Sequence, residues 1–391
     1  MIIVILSEFG EEDMMDLFSS LTLVTFKQIV MYLVGGSLIY LAIKKEYEPA
    51  LLLPMGFGSI LVNLPLSGVI NKTVEGVGEV DGIIEWLFHF GIEASEALPI
   101  LLFIGIGAMI DFGPLLSNPI MMLFGAAAQF GIFVAVIVAL LFGFELRDAA
   151  SIGIIGAADG PTSIFVSQFF KSNYIGAIAV AAYSYMALVP IIQPFAIKLV
   201  TTKRERRIVM EYNPKNVSQL ARILFPIGVT LVVGLVAPKS VALVGFLMFG
   251  NLIRECRVLR VLSETAQNSL SNLITLLLGL IISFSLRADA FVNIKTLLIM
   301  VIGLLAFFFD TIGGVLFVKL INLFRKKKVN PMIGAAGISA FPMSARVVQK
   351  LATKEQQGNI ILMHAVGVNV SGQIASVVAG GLIMTIVSKL M

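Results

Sequence analysis

The chain has 391 residues, of which 58% are hydrophobic and 13% charged, and its net charge is +4. Soluble domains run at about 45–50% apolar and about 25% charged residues, so a water-soluble globular protein is excluded. A single cysteine, Cys256, and only two histidines, His89 and His364, exclude an internal disulfide and argue against a histidine metal site or a His-based triad.

The N-terminus has a short apolar start, "MIIVILS", followed by "EFGEEDMMD". It lacks the basic n-region and small-residue cleavage site of a signal peptide, and residues 1–23 are expected as an external N-terminal segment. Apolar segments then follow at 24–43 and 48–66. Residues 71–96 are amphipathic, contain Trp86 and are too polar to span, so an external or interfacial helix is expected there. Further apolar segments run over 97–113, 119–144, 149–170 and 174–199. After the basic stretch "TTKRERRIVMEYNPKN" come 220–237, 239–253, 270–287, 296–324, 330–350 and 358–388. About 20 helical residues cross a bilayer core of about 30 Å, so these segments describe an all-α polytopic membrane protein. A transmembrane β-barrel would alternate apolar and polar residues in segments of about ten, and this chain does not. The charges lie in the joints, which reads as membrane topology with no nucleic-acid partner. The small-residue stretch "GAAAQFG", 125–131, reads as helix packing.

Two segments are poor spanning helices. Segment 149–170 holds "IGAADGPTSIF", with Asp159 between Gly156, Gly160 and Pro161. Segment 330–350 reads "NPMIGAAGISAFPMSARVVQK", with two prolines, two glycines and Arg346. Both look broken or re-entrant, and each resembles the other: "IGAADGPTSIFVSQ" aligns with "IGAAGISAFPMSARVVQ" once three residues are inserted. The flanks follow, with "EPALLLPMGFGSILVNLP" (48–65) matching "PKSVALVGFLMFGNLIRE" (238–255). The reading is an internal duplication, 24–200 and 220–391, joined by a linker over 201–219. If each broken segment enters and leaves on one side, each half crosses five times and the halves are inverted. With the linker in the cytoplasm, Lys44–Lys45, Arg254–Arg260 and "RKKK" at 325–328 all fall on the cytoplasmic side. "EEDMMD" and "EGVGEVDGIIEW" then fall outside. Inverted repeats with broken helices are the architecture of secondary transporters, with sites near the midplane.

An unpaired carboxylate in hydrocarbon costs at least about 2.5–3.5 kcal/mol, so Asp159 must be paired, protonated or bound to a cation. Gly160 and Pro161 are expected to free backbone carbonyls, and Thr162 and Ser163 add hydroxyl oxygens. Those are hard ligands suited to Na+ or H+, whereas the plain structural alternative is an ion pair with Arg346. The second segment supplies Asn330, Gly334, Ser339 and Arg346. Asn330 can cap a broken helix or offer an amide oxygen. Arg346 suits a substrate carboxylate, or else anchors at the cytoplasmic interface. "AAYSYMALVPIIQP" places Tyr183, Ser184 and Tyr185 beside two prolines, and "HAVGVNVSGQIAS" places His364, Asn369, Ser371 and Ser376. Asp310, in "FFFDTIGG", is a further intramembrane acid without a polar cluster around it in the sequence.

Several long motifs occur in order: "IGIGAMIDFGPLL", "GIIGAADGPTSIF", "GAIAVAAYSYMALVPIIQP", "NPMIGAAGISAFPMSARV" and "LMHAVGVNVSG". Over nearly the whole chain after about residue 25 they resemble the β subunit of the sodium-pumping biotin-dependent decarboxylases, which act on oxaloacetate, methylmalonyl-CoA, glutaconyl-CoA or malonate. The resemblance implies a membrane decarboxylase that removes CO2 from carboxybiotin, exports Na+ and consumes an external proton. It implies cofactors of Na+ and of biotin carried by a partner subunit. It also implies partners: a biotin carrier, a carboxyltransferase α subunit and a small single-span membrane subunit. An elevator-like fold, a β homotrimer and a bacterial or archaeal cytoplasmic membrane follow too. The family's key aspartate falls on Asp159 and its tyrosine on Tyr185, and its second-half residues fall on Asn330, Gly334, Ser339 and Arg346. Its last-helix asparagine falls on Asn369. On this basis Asp159, Tyr185 and Arg346 are expected as catalytic, Arg346, Ser339 and Gly334 as substrate-binding, and Asp159, Asn330 and Asn369 as Na+ ligands. Thr162, Ser163 and Ser371 are expected in secondary roles. Val368 departs from the pattern, which has proline before that asparagine, and Asp310 is also unexpected at its position. The competing reading from the residues alone is a sodium-coupled carboxylate carrier or sodium/proton antiporter without decarboxylase activity.

Overall fold

The computed structural model describes residues 22–391, apart from Tyr47, Glu75, Val77, Ser95, residues 213–215 and the side chains of Val74 and Ala187. The expected external segment, with its "EEDMMD" run, thus lies outside the described residues up to residue 21. Among the described residues, 6 helices are long and apolar enough to cross a membrane, or up to 8 if each of two bent helix pairs counts as one span. The chain is an α-helical polytopic membrane protein, as its composition requires.

The chain divides into two compact units. One comprises the residues up to Phe90 together with Leu276–Asn293. Here α1 (Phe26–Lys45) starts on a capping box, in which Thr25 and Gln28 each bond the other's backbone N–H. It packs along α2 (Pro49–Asn63). Residues 71–96 do not form the single interfacial helix expected from their spacing. Asn71–Val74 (β1) and Gly78–Asp81 (β2) pair as an antiparallel hairpin, followed by the short α3 (Ile83–Phe88). Gly76 at φ 81° and Gly78 at φ 98° adopt backbone that side chains resist, and this turn chemistry overrides the helical spacing. Trp86 and Phe90 stack with centroids 5.7 Å apart and both remain exposed.

The second unit, Gly91–Thr275 with Ile294–Met391, carries every candidate residue. Its elements include α4 (Ala97–Met109), α5 (Met121–Ala127), α6 (Phe130–Leu141), α7 (Leu146–Gly153) and α8 (Gly160–Phe169). There follow α9 (Ile175–Val200), α10 (Gln219–Val236), α11 (Val241–Glu255) and α12 (Ser271–Ile282), the last of which begins in this unit. The C-terminal part holds α13 (Ile294–Phe324), α14 (Met332–Ala335), α15 (Met343–Glu355) and α16 (Leu362–Leu390). α9 bends by 70° between Met186 and Leu188. Pro190 and Pro194 within it lack the N–H groups that would hold the helix straight.

Two asparagines far apart in the chain play similar parts. Asn63, closing α2, donates to the Leu286 carbonyl at 2.9 Å and accepts from the Ala288 N–H at 2.7 Å. Asn251, in α11, donates to the Ile110 carbonyl at 2.8 Å, just past α4. Each thus seals the frayed end of a helix in the opposite half. Asn251→Leu leaves a buried carbonyl unmatched, which costs about 1–3 kcal/mol. The expected outcome is a lower melting midpoint in detergent, read by a scanning fluorescence assay on the purified chain, and an unchanged midpoint would contradict it.

Candidate functional site

The first break is a short non-helical joint between α7 and α8. Residues 154–157 tighten into a 3-10 turn, Ala158 turns left-handed at φ 51°, and Asp159 opens α8 as its N-cap. Aspartate is a favoured N-cap, and Pro161 sits in the first turn, where a missing N–H costs nothing. The interruption therefore lies at 154–159, ahead of Gly160 and Pro161 where the sequence suggested it. Asp159 is buried, 4% exposed. One carboxylate oxygen accepts from the Thr162 N–H at 3.2 Å and the other from the Ser376 hydroxyl of α16 at 2.8 Å. The Asp159 carbonyl is engaged by the Ser163 hydroxyl at 2.8 Å and the Ser163 N–H at 2.9 Å. The Tyr183 ring covers Gly160, while Tyr185 and Ile155 together cover Gly303 of α13. The Tyr185 hydroxyl donates to the Met300 carbonyl.

The second break, 336–342, joins α14 to α15. Its Ser339 N–H donates to the Ala157 carbonyl at 2.9 Å, so the two breaks touch backbone to backbone. Unwound carbonyls in a membrane need donors, and here side-chain amides provide them. Gln193 donates to Ala335 O at 2.7 Å, Asn369 to Ala336 O at 3.0 Å and Ile338 O at 2.7 Å, and Gln129 to Gly337 O at 3.1 Å. Gln373 donates to Ser339 O. The Ser339 hydroxyl bonds Gly372 O at 3.2 Å. Buried oxygens without a hydrogen-bond partner at the breaks include Asn369 Oδ1, Thr162 Oγ1, Gln129 Oε1, Gln193 Oε1 and Asp310 Oδ2.

The structure thus gathers Asp159, Thr162, Ser163, Ser339 and Asn369 of the expected residues, with Ser376. Four others stand elsewhere. Asn330 has both ends of its amide engaged, accepting from Met332 N–H at 3.1 Å and donating to Arg206 O and Ile208 O, each at 2.9 Å. It fastens the basic linker to the start of α14, which leaves the ion ligand expected of it without support in this arrangement. Gly334 packs against Gly314 of α13. Ser371 bonds Met122 O at 3.0 Å, facing α5. Arg346 is exposed on α15 and forms no ion pair with Asp159 among the described residues, so the expected structural pairing of these two does not occur. The linker is further held by Arg206, which pairs with Glu355 at 3.0 Å.

Three glutamines went unweighed in the sequence: Gln129, Gln193 and Gln373. The available signal was a neutral amide in the middle of each of three apolar runs. "GAAAQFG" does pack tightly, but it also holds the interruption between α5 and α6 from which Gln129 reaches the second break. Asp310 is not isolated either. Fully buried on α13, it accepts from the Gly131 N–H in the first turn of α6, and its other oxygen faces Gly156 of the first break. It caps a half-helix on another segment, where a negative group is favourable.

No group of three or more His, Cys, Asp or Glu side chains that could hold a metal ion occurs among the described residues. What the crossing offers instead is the Asp159 carboxyl group among neutral oxygens, with a second acid, Asp310, facing Gly156 of the first break.

A family model described as the Na+-transporting oxaloacetate decarboxylase beta subunit matches residues 27–387. The chain is 46% identical over 378 residues to a methylmalonyl-CoA decarboxylase subunit beta of Propionigenium modestum, covering 92% of this chain and 94% of that one. It is 46% identical over 363 residues to a glutaconyl-CoA decarboxylase subunit beta of Acidaminococcus fermentans, covering 93% and 94%. It is 43% identical over 411 residues to a probable oxaloacetate decarboxylase beta chain of Vibrio cholerae, covering 91% and 94%.

Proposed function

The chain belongs to the family of Na+-transporting decarboxylase beta subunits, and from that premise we propose that it releases CO2 from carboxybiotin and couples that step to Na+ export and uptake of an external proton. It is a membrane decarboxylase subunit coupled to sodium transport, and the plain-carrier alternative is not favoured. Its relatives serve enzymes named for three different acids or acyl-CoA esters. A common chemistry across them is the shared carboxyl carrier, which supports carboxybiotin as the species met here. Biotin is then carried by a partner subunit, beside a carboxyltransferase α subunit and a small single-span subunit, in a bacterial or archaeal cytoplasmic membrane.

The observation that carries the reading is the crossing of the two breaks at Asp159. Asp159 supplies the charge for Na+, and Asn369 Oδ1 and Thr162 Oγ1 are neutral acceptors without other partners. The Ser163 hydroxyl still has lone pairs, and Ser339 stands at the contact between the breaks. Arg346, exposed, receives the incoming carboxylate in a charge-paired bond. Decarboxylation breaks the bond between the ureido nitrogen and the carboxyl carbon. CO2 leaves, and the electron pair stays on nitrogen, which must take up a proton. Tyr185, beside the first break, relays it. Passage from water into drier surroundings weakens the hydration that holds the carboxylate in place. Coupling follows if carboxybiotin and Na+ favour different exposures of one site.

The reciprocal asparagine seals, Asn63 and Asn251, support two inverted repeats, 24–200 and 220–391, flanking the 201–219 linker. So does the reach of each repeat's last helix into the other's break, by Gln193 to Ala335 and by Ser376 to Asp159. Such repeats suit an elevator-like transporter, assembled as a homotrimer. The test is reconstitution of the whole complex in liposomes with carboxybiotin, following ²²Na+ uptake and CO2 together. Sodium-stimulated CO2 release with coupled uptake is expected, and uptake without any CO2 would return the chain to the carriers.

A further inference from the structure

We propose that Gln129 and Gln193 are positioning residues for the sodium-coupled decarboxylation, holding the second break in the shape that docks Ser339 on the first. This rests on the reading that the crossed breaks are the ion site.

The argument starts from the carbonyls. Residues 335–339 present five in succession, and each accepts from a side-chain amide. Two of the four donors, Asn369 and Gln373, come from α16. The other two come from separate helical segments. Gln129 lies in the interruption before α6, and Gln193 on α9 stands between Pro190 and Pro194. All four side chains are buried.

The orientation of these amides is fixed. Gln129 uses its NH2 on Gly125 O and Gly337 O, and Gln193 uses its own on Ala335 O and the Ser344 hydroxyl. A flipped amide would set oxygen against carbonyl oxygen. Both Oε1 atoms are left buried without a partner, so neither side chain is arranged for its own satisfaction.

The geometry also says what the bonds control. Asn369 brackets the Gly337 peptide, bonding the carbonyls on either side of it at Ala336 and Ile338. Gly337 has no side chain, and its carbonyl is held by Gln129 alone among the amides. Without that bond the Gly337 carbonyl loses its amide donor between the two Asn369 contacts, two residues ahead of the Ser339 N–H that meets Ala157. Gln193 fixes the preceding carbonyl, at the end of α14, in the same way.

The experiment uses the complete decarboxylase complex in proteoliposomes. Gln129→Met and Gln193→Met keep side-chain length and remove the donors. Each is expected to raise the Na+ concentration for half-maximal CO2 release about tenfold, the equivalent of one unmade buried hydrogen bond. The maximal rate at saturating Na+ is expected to change less. Gln193→Asn, which keeps the donors one methylene back, should fall between wild type and Gln193→Met. Unchanged half-saturation in folded Gln129→Met and Gln193→Met overturns the proposal. Loss of folded protein in both also overturns it, because a purely structural role then accounts for the amides. If the Gln variants behave as wild type while Asp159→Asn is dead, only the positioning role fails. If Asp159→Asn keeps sodium-dependent turnover, the ion-site reading itself fails.

Discussion

Asp159→Asn is expected to abolish sodium-dependent CO2 release while leaving a folded protein. The amide fits the same space: its oxygen still accepts from the Thr162 N–H at the N-cap, and its NH2 donates to the Ser376 oxygen while that hydroxyl turns to Gln373 O. What it removes is the carboxylate that joins the first break to α16. Taking away one partner of a buried ion pair costs about 3–5 kcal/mol, roughly two to three and a half orders of magnitude in affinity. Asp310 keeps one oxygen on the start of α6 and lies across Gly156 from this position, so it does not replace the Asp159 contacts to Thr162 and Ser376. The measurement is CO2 release and ²²Na+ uptake across a sodium titration, with the elution profile and melting midpoint as the check on folding. A variant that keeps wild-type half-saturation would sink the assignment of the cation to this break.

Gly334→Val and Gly314→Val are expected to lose folded protein altogether. A β-carbon on Gly334 would lie 2.1 Å from the Gly314 carbonyl oxygen, and one on Gly314 would lie 2.2 Å from Gly334 O. Both neighbours are backbone, and one belongs to the 31-residue α13, so neither can yield locally. Overpacking of this kind costs about 1–3 kcal/mol and sometimes more. Size-exclusion of a fluorescent fusion from detergent extracts reads the outcome. Alanine at either position separates the possible reasons for the glycine. A glycine kept only for substrate contact would leave Gly314→Ala silent, whereas mutual packing makes Gly314→Ala and Gly334→Ala equally damaging.

Much of the first break was legible because its signals are local. An N-cap aspartate, glycines before it and a first-turn proline all act within a few residues, so Asp159 could be read from its neighbours. The amides that hold the second break were not legible in this way. Gln193 meets its carbonyl 142 residues away and Gln129 meets its own 208 away, and a lone glutamine in an apolar run has no periodicity to mark it. Asp310 carried little local signal for the same reason: in "FFFDTIGG" only Thr311 is a polar neighbour, and its partner is an N–H 179 residues distant. Gly334 carried the opposite difficulty. Its place in a conspicuous motif suggested a substrate, while the packing against Gly314 explains the residue type without one. At 71–81 apolar spacing pointed to a helix, and the φ values of Gly76 and Gly78 decided for a hairpin.

The bond between Ser339 N–H and the Ala157 carbonyl limits how an ion could change sides. A gate that parted the two breaks would have to sever it and leave both groups dry and unmatched in the bilayer, the condition membrane-embedded backbone avoids. A carriage in which both breaks move as one piece keeps it intact. Amide hydrogen exchange at Ser339 then serves as an odometer: protection that persists through turnover marks a carriage, and protection lost at each cycle marks a gate.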